Sequence, residues 1–200
     1  MKKLLLSILF SSAALGLQAQ TYCTPSYTTG CNVGDDIDDV YIGSFQDTGT
    51  GCTSSFYNVQ TSDTVFIQQT APTAISFTSN YFTQYFAVWI DFNDDGDFDD
   101  SGEHLWSSPT NAWSTTTGSI TIPSTVSLGS YRLRVRSNYT AAITATQSCS
   151  SFTYGEVHDY TTTITAPPAC PAPVLASLSA SDTTATLSWT SADTLFTVDY

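Results

Sequence analysis

The chain has 200 residues with 18 acids, five lysines or arginines and two histidines, a formal net charge of −13. Two of the five bases are Lys2 and Lys3, so beyond residue 20 the 18 acids face only Arg132, Arg134 and Arg136, an excess of 15 negative charges. Such a surface repels phosphate backbones and anionic lipid, which excludes nucleic acid as a partner and argues against membrane association.

Residues 1–20 open with Lys2-Lys3, continue with the apolar run LLLSILF and end in small residues at Leu17-Gln18-Ala19-Gln20. This is the layout of a secretory signal cleaved near Ala19. Its apolar core is short for a bilayer span, and no later segment is apolar enough to cross one, so no membrane insertion is expected. The mature protein is expected to be secreted or held at the cell surface. Five cysteines in an exported chain then argue for disulfides. Cys23, Cys31, Cys52 and Cys149 are expected to pair among themselves. Cys31 with Cys52 and Cys23 with Cys149 is one of the arrangements that spacing leaves open, and Cys170 is left over. Zinc is the weaker reading, because no C-x-x-C pair occurs and only His104 and His158 are available to assist.

After residue 20 the pattern is all β. Thr, Ser, Val, Ile, Phe and Tyr dominate in short runs broken by Gly, Asn, Asp and Pro. Strands are predicted over 39–43, 64–68, 74–78, 85–91, 119–122, 131–136 and 156–164. Regularly spaced short strands point to an antiparallel β-sandwich, jelly-roll-like or immunoglobulin-like, over residues 21–166. That is a normal size for one hydrophobic core. Most of Tyr81, Phe82, Tyr85, Phe86, Trp89, Trp106 and Trp113 are expected in that core. Trp106 and Trp113 sit in loop-like surroundings and are also candidates for stacking on a glycan.

Between strands, Asp47-Thr48-Gly49 has the look of an aspartic-protease turn, but that chemistry needs two aspartates sharing a proton and the chain has one such turn. A hairpin turn is the better reading. The stretch VWIDFNDDGDFDDSGE carries seven acids in the thirteen residues from Asp91 to Glu103. Asp91, Asn93, Asp95 and Gly96 fit the D-x-N-x-D-G spacing of calcium loops, in which alternate residues turn oxygens inward and glycine permits the sharp bend. The Asp97 carbonyl, Asp99 and Glu103 complete the expected calcium ligands. The preceding segment reads as a strand and position twelve is Gly102, so it is not an EF-hand. The bland alternative is a solvated acidic turn with no ion.

Arg132, Arg134 and Arg136 fall on one face of their strand, because strand side chains alternate. Glu156 and Asp159 in YGEVHDY (154–160) are the expected counter-ions if the two strands are neighbours, as a surface ladder in which each pair contributes little. A ligand pocket around Arg134, Glu156 and His158 is the functional alternative. Catalysis finds no support: there is no H-E-x-x-H, no G-x-S-x-G and no reactive lone cysteine.

Taken in order, Tyr22-Cys23-Thr24-Pro25, the acidic stretch, YRLRVR (131–136) and YGEVHDY make residues 22–164 resemble the GEVED domain. That resemblance implies a module of large exported bacterial proteins, found beside peptidase domains or fibronectin type III modules and in cargo of the type IX secretion system. The sequence departs from the family at His158, where the naming motif has a glutamate. Residues 167–173 form a proline-rich linker. Residues 174–200, with Leu187-Ser188-Trp189 and Phe196-Thr197-Val198, resemble the start of a fibronectin type III module cut short at about a third of its length and expected to be loosely ordered. No sorting domain is visible before Tyr200, so further domains of the same polypeptide are expected beyond it. Together these features suggest a non-catalytic, calcium-stabilised spacer or adhesion module, with an extracellular glycan or protein as partner. An accessory domain of an exported peptidase or glycan-active enzyme is the alternative.

Overall fold

A computed structural model describes residues 21–110, 112–167, 174–180 and 185–190; side chains at 81–82, 112–114 and from 174 onward lie outside the described set. The signal segment, Cys170, the Trp113 side chain and the 196–200 strand therefore fall outside the described residues. Twelve strands are described: β1 Tyr27–Gly30, β2 Asp39–Ile42, β3 Phe45–Thr48, β4 Tyr57–Gln68, β5 Pro72–Asp91, β6 His104–Ser107, β7 Ala112–Thr121, β8 Gly129–Asn138, β9 Phe152–Tyr154, β10 Val157–Thr165, β11 Val174–Ala180 and β12 Ala185–Thr190. One 3-10 turn, Ala145–Gln147, precedes β9. No described helix is long and apolar enough to cross a membrane.

The organising element is β5. The two strands predicted over 74–78 and 85–91 are one 20-residue strand. Its first half pairs with β2 and β7, its second half with β8 and β6, and the register shifts between Thr78 and Thr83. Before the shift odd residues (Ile75, Phe77) face the core; after it even residues (Phe86, Val88, Ile90) do. The rings of Phe77 and Phe86 stack at 5.4 Å across the change. A bulge that reverses which side chains point inward lets one strand serve both leaves of a sandwich. The main path runs β3-β2-β5-β8-β10-β4, and its core gathers Val40, Ile42, Val65, Ile67, Leu133, Val135, Tyr160 and Ile164 around the β5 residues.

The leaf made by β5, β8, β10 and β4 is covered on both sides. Its outer face carries a second cluster of Ala87, Trp89, Phe98 and Ile143, packed by Tyr22, Tyr85 and Phe152 from irregular chain. The Trp89 indole N–H donates to the Ala145 carbonyl at 2.9 Å. Double coverage explains why Leu133 to Asn138 and Val157 to Tyr160 are buried without a break. It also puts charged side chains of alternating strands into the interior rather than in water. Strands β11 and β12 pair antiparallel, with Leu175 opposite Trp189, as a separate two-stranded sheet. Where the sequence suggests a loosely ordered tail, these two segments are therefore hydrogen-bonded to one another.

Candidate functional site

The acidic loop connects β5 to β6, and its two ends are closed by carboxylates that point inward. Asp91 is fully buried. Its Oδ1 accepts the Asp94 and Asp95 N–H groups at 2.7 and 3.3 Å, and its Oδ2 accepts the Gly96 N–H at 3.0 Å and the Tyr22 hydroxyl at 2.8 Å. Glu103 is 2 % exposed and accepts the Phe92 N–H at 2.9 Å and the Asp100 N–H at 3.3 Å. Burial pushes the Glu103 carboxyl above its usual range, against those two N–H bonds, which favour its charged form. Asp91 and Glu103 are thus braces, with their acceptor capacity directed to the loop's own backbone.

The outer face of the loop is different. One oxygen each from Asp95, Asp97 and Asp100, all exposed, lie within 4.8 Å of one another. The Asn93 amide nitrogen sits 2.8 Å from Asp95 Oδ2 and 2.6 Å from Asp100 Oδ2. Asp99 instead accepts the Ser148 hydroxyl at 3.1 Å. Of the residues suggested by spacing, the structure gathers Asn93, Asp95 and Asp97; it turns Asp91, Asp99 and Glu103 elsewhere and brings in Asp100. Phe98, 1 % exposed, drops into the second cluster, and beyond it the alternation stops: Asp99 turns to Ser148 and Asp100 takes the outer face. The sequence carries no signal for that change.

Beneath the loop lies a buried charge layer rather than a surface ladder. Arg134 and Asp159, both fully buried, form a two-pronged pair, Nε to Oδ1 at 2.7 Å and Nη2 to Oδ2 at 2.8 Å. Arg134 also donates to the carbonyls of Ser148 (3.2 Å) and Cys23 (2.9 Å), and lies 4.6 Å from the Phe98 ring. The Tyr57 hydroxyl donates to Asp159 at 2.6 Å. Burial works against the guanidinium's charge, and the Asp159 carboxylate more than offsets it. Arg136, also fully buried, has no carboxylate partner among the described residues: it donates to the carbonyls of Gln147 and Ser150 and to the Tyr27 hydroxyl, and lies 4.3 Å from the Phe152 ring. Arg132, at the rim, stacks 4.9 Å from the Tyr22 ring. Above Arg134 the Cys23–Cys149 disulfide ties the N-terminal segment to the 145–151 stretch, and Cys31–Cys52 closes a second loop. Those four cysteines are therefore not available to zinc.

Glu156 does not serve the arginines. Strand alternation sends it to the opposite face of β10 from Asp159, so it acts as an anchor for the loops at the core's end. It accepts the Ile37 N–H at 3.1 Å and, from Thr53, the N–H at 2.8 Å and the hydroxyl at 2.5 Å. His158 Nε2 is 3.4 Å from Glu156 Oε2, long for a hydrogen bond. His158 Nδ1 is 2.9 Å from the Tyr160 hydroxyl, which donates to Asp47 at 3.1 Å. Asp47, which lies within β3 opposite Val40 and not in the hairpin turn that the sequence suggests, therefore ends a partly buried chain of contacts. Because Arg134 lies on one face of the leaf and Glu156 and His158 on the other, they do not form a common pocket. Gly155 has φ +115°, and a Cβ there would lie 2.1 Å from the Ser137 carbonyl oxygen. The Gly-Glu pair is thus a backbone requirement followed by an anchor.

Burial works to raise the Glu156 pKa, but the nearby His158 ring and the two bonds from Thr53 outweigh it and hold the carboxyl below its ordinary value. A depressed folded-state pKa stabilises the fold above the ordinary carboxylate range, and that contribution is lost as pH falls through the folded value. Urea midpoints between about pH 7 and pH 3 are expected to drop on acidification, with Glu156→Gln less stable at neutrality but showing a shallower decline. Parallel declines would refute this role for Glu156.

Trp106 packs against Phe77 at 6.0 Å and directly over Gly118, where an added Cβ would lie 2.6 Å from its ring. It is a partly buried flank of the core, not a free stacking surface. His104 bonds Ser107 at 2.8 Å and packs on Trp89, and burial lowers its pKa.

The fold and site together define an all-β, disulfide-linked sandwich whose two fully buried arginines brace an acidic loop and the chain beside it. Residues 85–163, from the second half of β5 through most of β10, match the family model of the GEVED domain, which suggests an accessory module of exported modular proteins. No curated protein matches the chain.

Proposed function

We propose that this chain is a non-catalytic, calcium-stabilised extracellular module of an exported, multidomain protein, serving as a spacer or binding domain. The observation that carries the reading is the convergence of Asp95, Asp97 and Asp100 on the outer face of a loop closed by Asp91 and Glu103. Two carboxylates at about 4 Å repel by about 4 kcal/mol at an effective dielectric of 20, so three in one place favour a divalent cation. The donor set fits a hard ion that takes oxygen ligands. The Asn93 amide, whose N and O are set by hydrogen bonding, would present its oxygen to the same point when turned over. Asp95, Asp97, Asp100 and Asn93 are thus the residues that would hold calcium, and the ion would fix the loop. The Leu187-Ser188-Trp189 sequence is the basis for reading a fibronectin type III module after the linker. The layout of residues 1–20 supports export.

Calorimetry on chelator-treated protein tests the calcium site. One ion is expected to bind with Kd of about 10⁻⁴–10⁻³ M, in the range of extracellular modules. At about 10 mM calcium this adds about 1.4–2.7 kcal/mol and raises Tm by about 3–10 °C. Asp95→Asn with Asp100→Asn should abolish both effects, whereas Asp99→Asn should leave them. No heat and no change in Tm would overturn the proposal.

A further inference from the structure

The three arginines beyond residue 20 have different fates, and the odd one is Arg132. Arg134 and Arg136 are fully buried and satisfied by the interior. Arg132 is partly exposed, in register with Asp91 on β5 and Thr161 on β10. Yet it makes no ion pair with either Asp91 or Asp94. The reason is visible at Asp91: its oxygens already accept three backbone N–H groups and the Tyr22 hydroxyl. The Arg132 guanidinium instead lies over the Tyr22 ring at 4.9 Å. Among the described residues it has no hydrogen-bond or carboxylate partner, although the chain beyond residue 20 carries 18 acids. A guanidinium stacked on a ring is held in orientation with its N–H edge available.

That edge lines a polar groove of about 240 Å³ formed by Tyr22, Asp94, Ser130, Tyr131, Arg132 and Thr161. We infer that this groove is a binding site for a sugar carboxylate, a uronate residue of an acidic glycan. One rigid fork of N–H donors matches one carboxylate in a two-pronged pair. The Thr161 hydroxyl, the Asp94 carboxylate and the Ser130 hydroxyl, which also bonds Thr163 at 3.1 Å, are partners for ring hydroxyls, and Tyr22 supplies apolar contact; the Tyr131 ring turns to the core side against Phe92. A volume well below that of drug-sized sites fits a single sugar unit. Asp94 and the surrounding negative charge disfavour a phosphate monoester, which brings more charge than one arginine neutralises, and the planar guanidinium fork matches a planar carboxylate. The site does not depend on the calcium reading, since none of its six residues is among Asn93, Asp95, Asp97 and Asp100.

The test is titration of the intact chain with digalacturonate, followed by amide shifts of Arg132, Ser130 and Thr161 and by calorimetry. The acid dimer is expected to bind in the millimolar range, with the neutral galactose dimer at least about tenfold weaker, equivalent to about 1.4 kcal/mol. Arg132→Gln is expected to weaken the acid dimer by a similar factor without altering Tm, and chelator should not abolish binding of the acid dimer. The neutral dimer needs no variant, so the comparison stands even if Arg132→Gln fails to fold. No binding up to about 10 mM, equal binding of the neutral dimer, or unchanged binding by a folded Arg132→Gln would each overturn the inference. So would preferential binding of a peptide with a free C-terminal carboxylate over the uronate.

Discussion

Asp159→Asn is expected to destabilise the fold by about 3–5 kcal/mol, because it leaves a fully buried guanidinium without its counter-charge. Arg134 has no route to water: the leaf lies below it, Phe98 and the Cys23–Cys149 bridge lie over it, and its exposure is zero. The Ser148 and Cys23 carbonyls would still accept its protons, but a neutral amide at 159 cannot balance the charge. Against a total stability of about 5–15 kcal/mol this is a large fraction. Urea denaturation with both disulfides intact should show a midpoint far below that of the parent at unchanged slope. The double variant Arg134→Met with Asp159→Leu is expected to lose less than the single one, since it removes both charges rather than isolating one. A loss below about 1 kcal/mol for Asp159→Asn is the value expected of an exposed ion pair, and it would show that the pair is not sequestered.

Alternation correctly places Arg132, Arg134 and Arg136 on one face, but periodicity does not say whether that face meets water. A strand with three arginines reads as half-solvated until the covering chain, 145–151 and the acidic loop, is in place. The same gap misassigned Glu156: two carboxylates three residues apart on a strand must face opposite ways, so only one of them can meet the arginines. In the acidic loop, spacing identifies the turn and its glycine but assumes a constant alternation, which ends beyond Phe98, where Asp99 turns to Ser148 and Asp100 takes the outer face. Strand β5 was legible as two segments because each half carries its own apolar parity. What joins them is a register shift between Thr78 and Thr83, where Ser79-Asn80 interrupts the apolar alternation and reads as a break between two strands. The short strands β1, β3, β6 and β9 have three or four residues each, too few to hold a pattern, and they exist because neighbours supply hydrogen-bond partners.

Removing the Cys23–Cys149 bridge by a double Cys→Ser change is expected to cost about 5 kcal/mol, against about 3.4 kcal/mol for Cys31–Cys52, from the loop entropies of their separations. The separations are 126 and 21 residues. The larger loss should also be distributed differently. Among the described residues the covering layer contributes two buried apolar side chains, Phe98 and Ile143, against Ala87 and Trp89 of β5, so its attachment relies on carbonyls accepting from Arg134 and Arg136 and on the bridge itself. Hydrogen exchange is therefore expected to rise most over 143–151 and 22–26, ahead of β2 and the first half of β5, which lie in the other leaf. The Trp89 indole, bonded to Ala145, gives an independent optical readout, and its emission should shift to the red before the main transition. A uniform rise in exchange across both leaves would mean that the covering layer and the sandwich unfold as one unit. The arginines would then act as part of a single core rather than as fasteners for a separate cover.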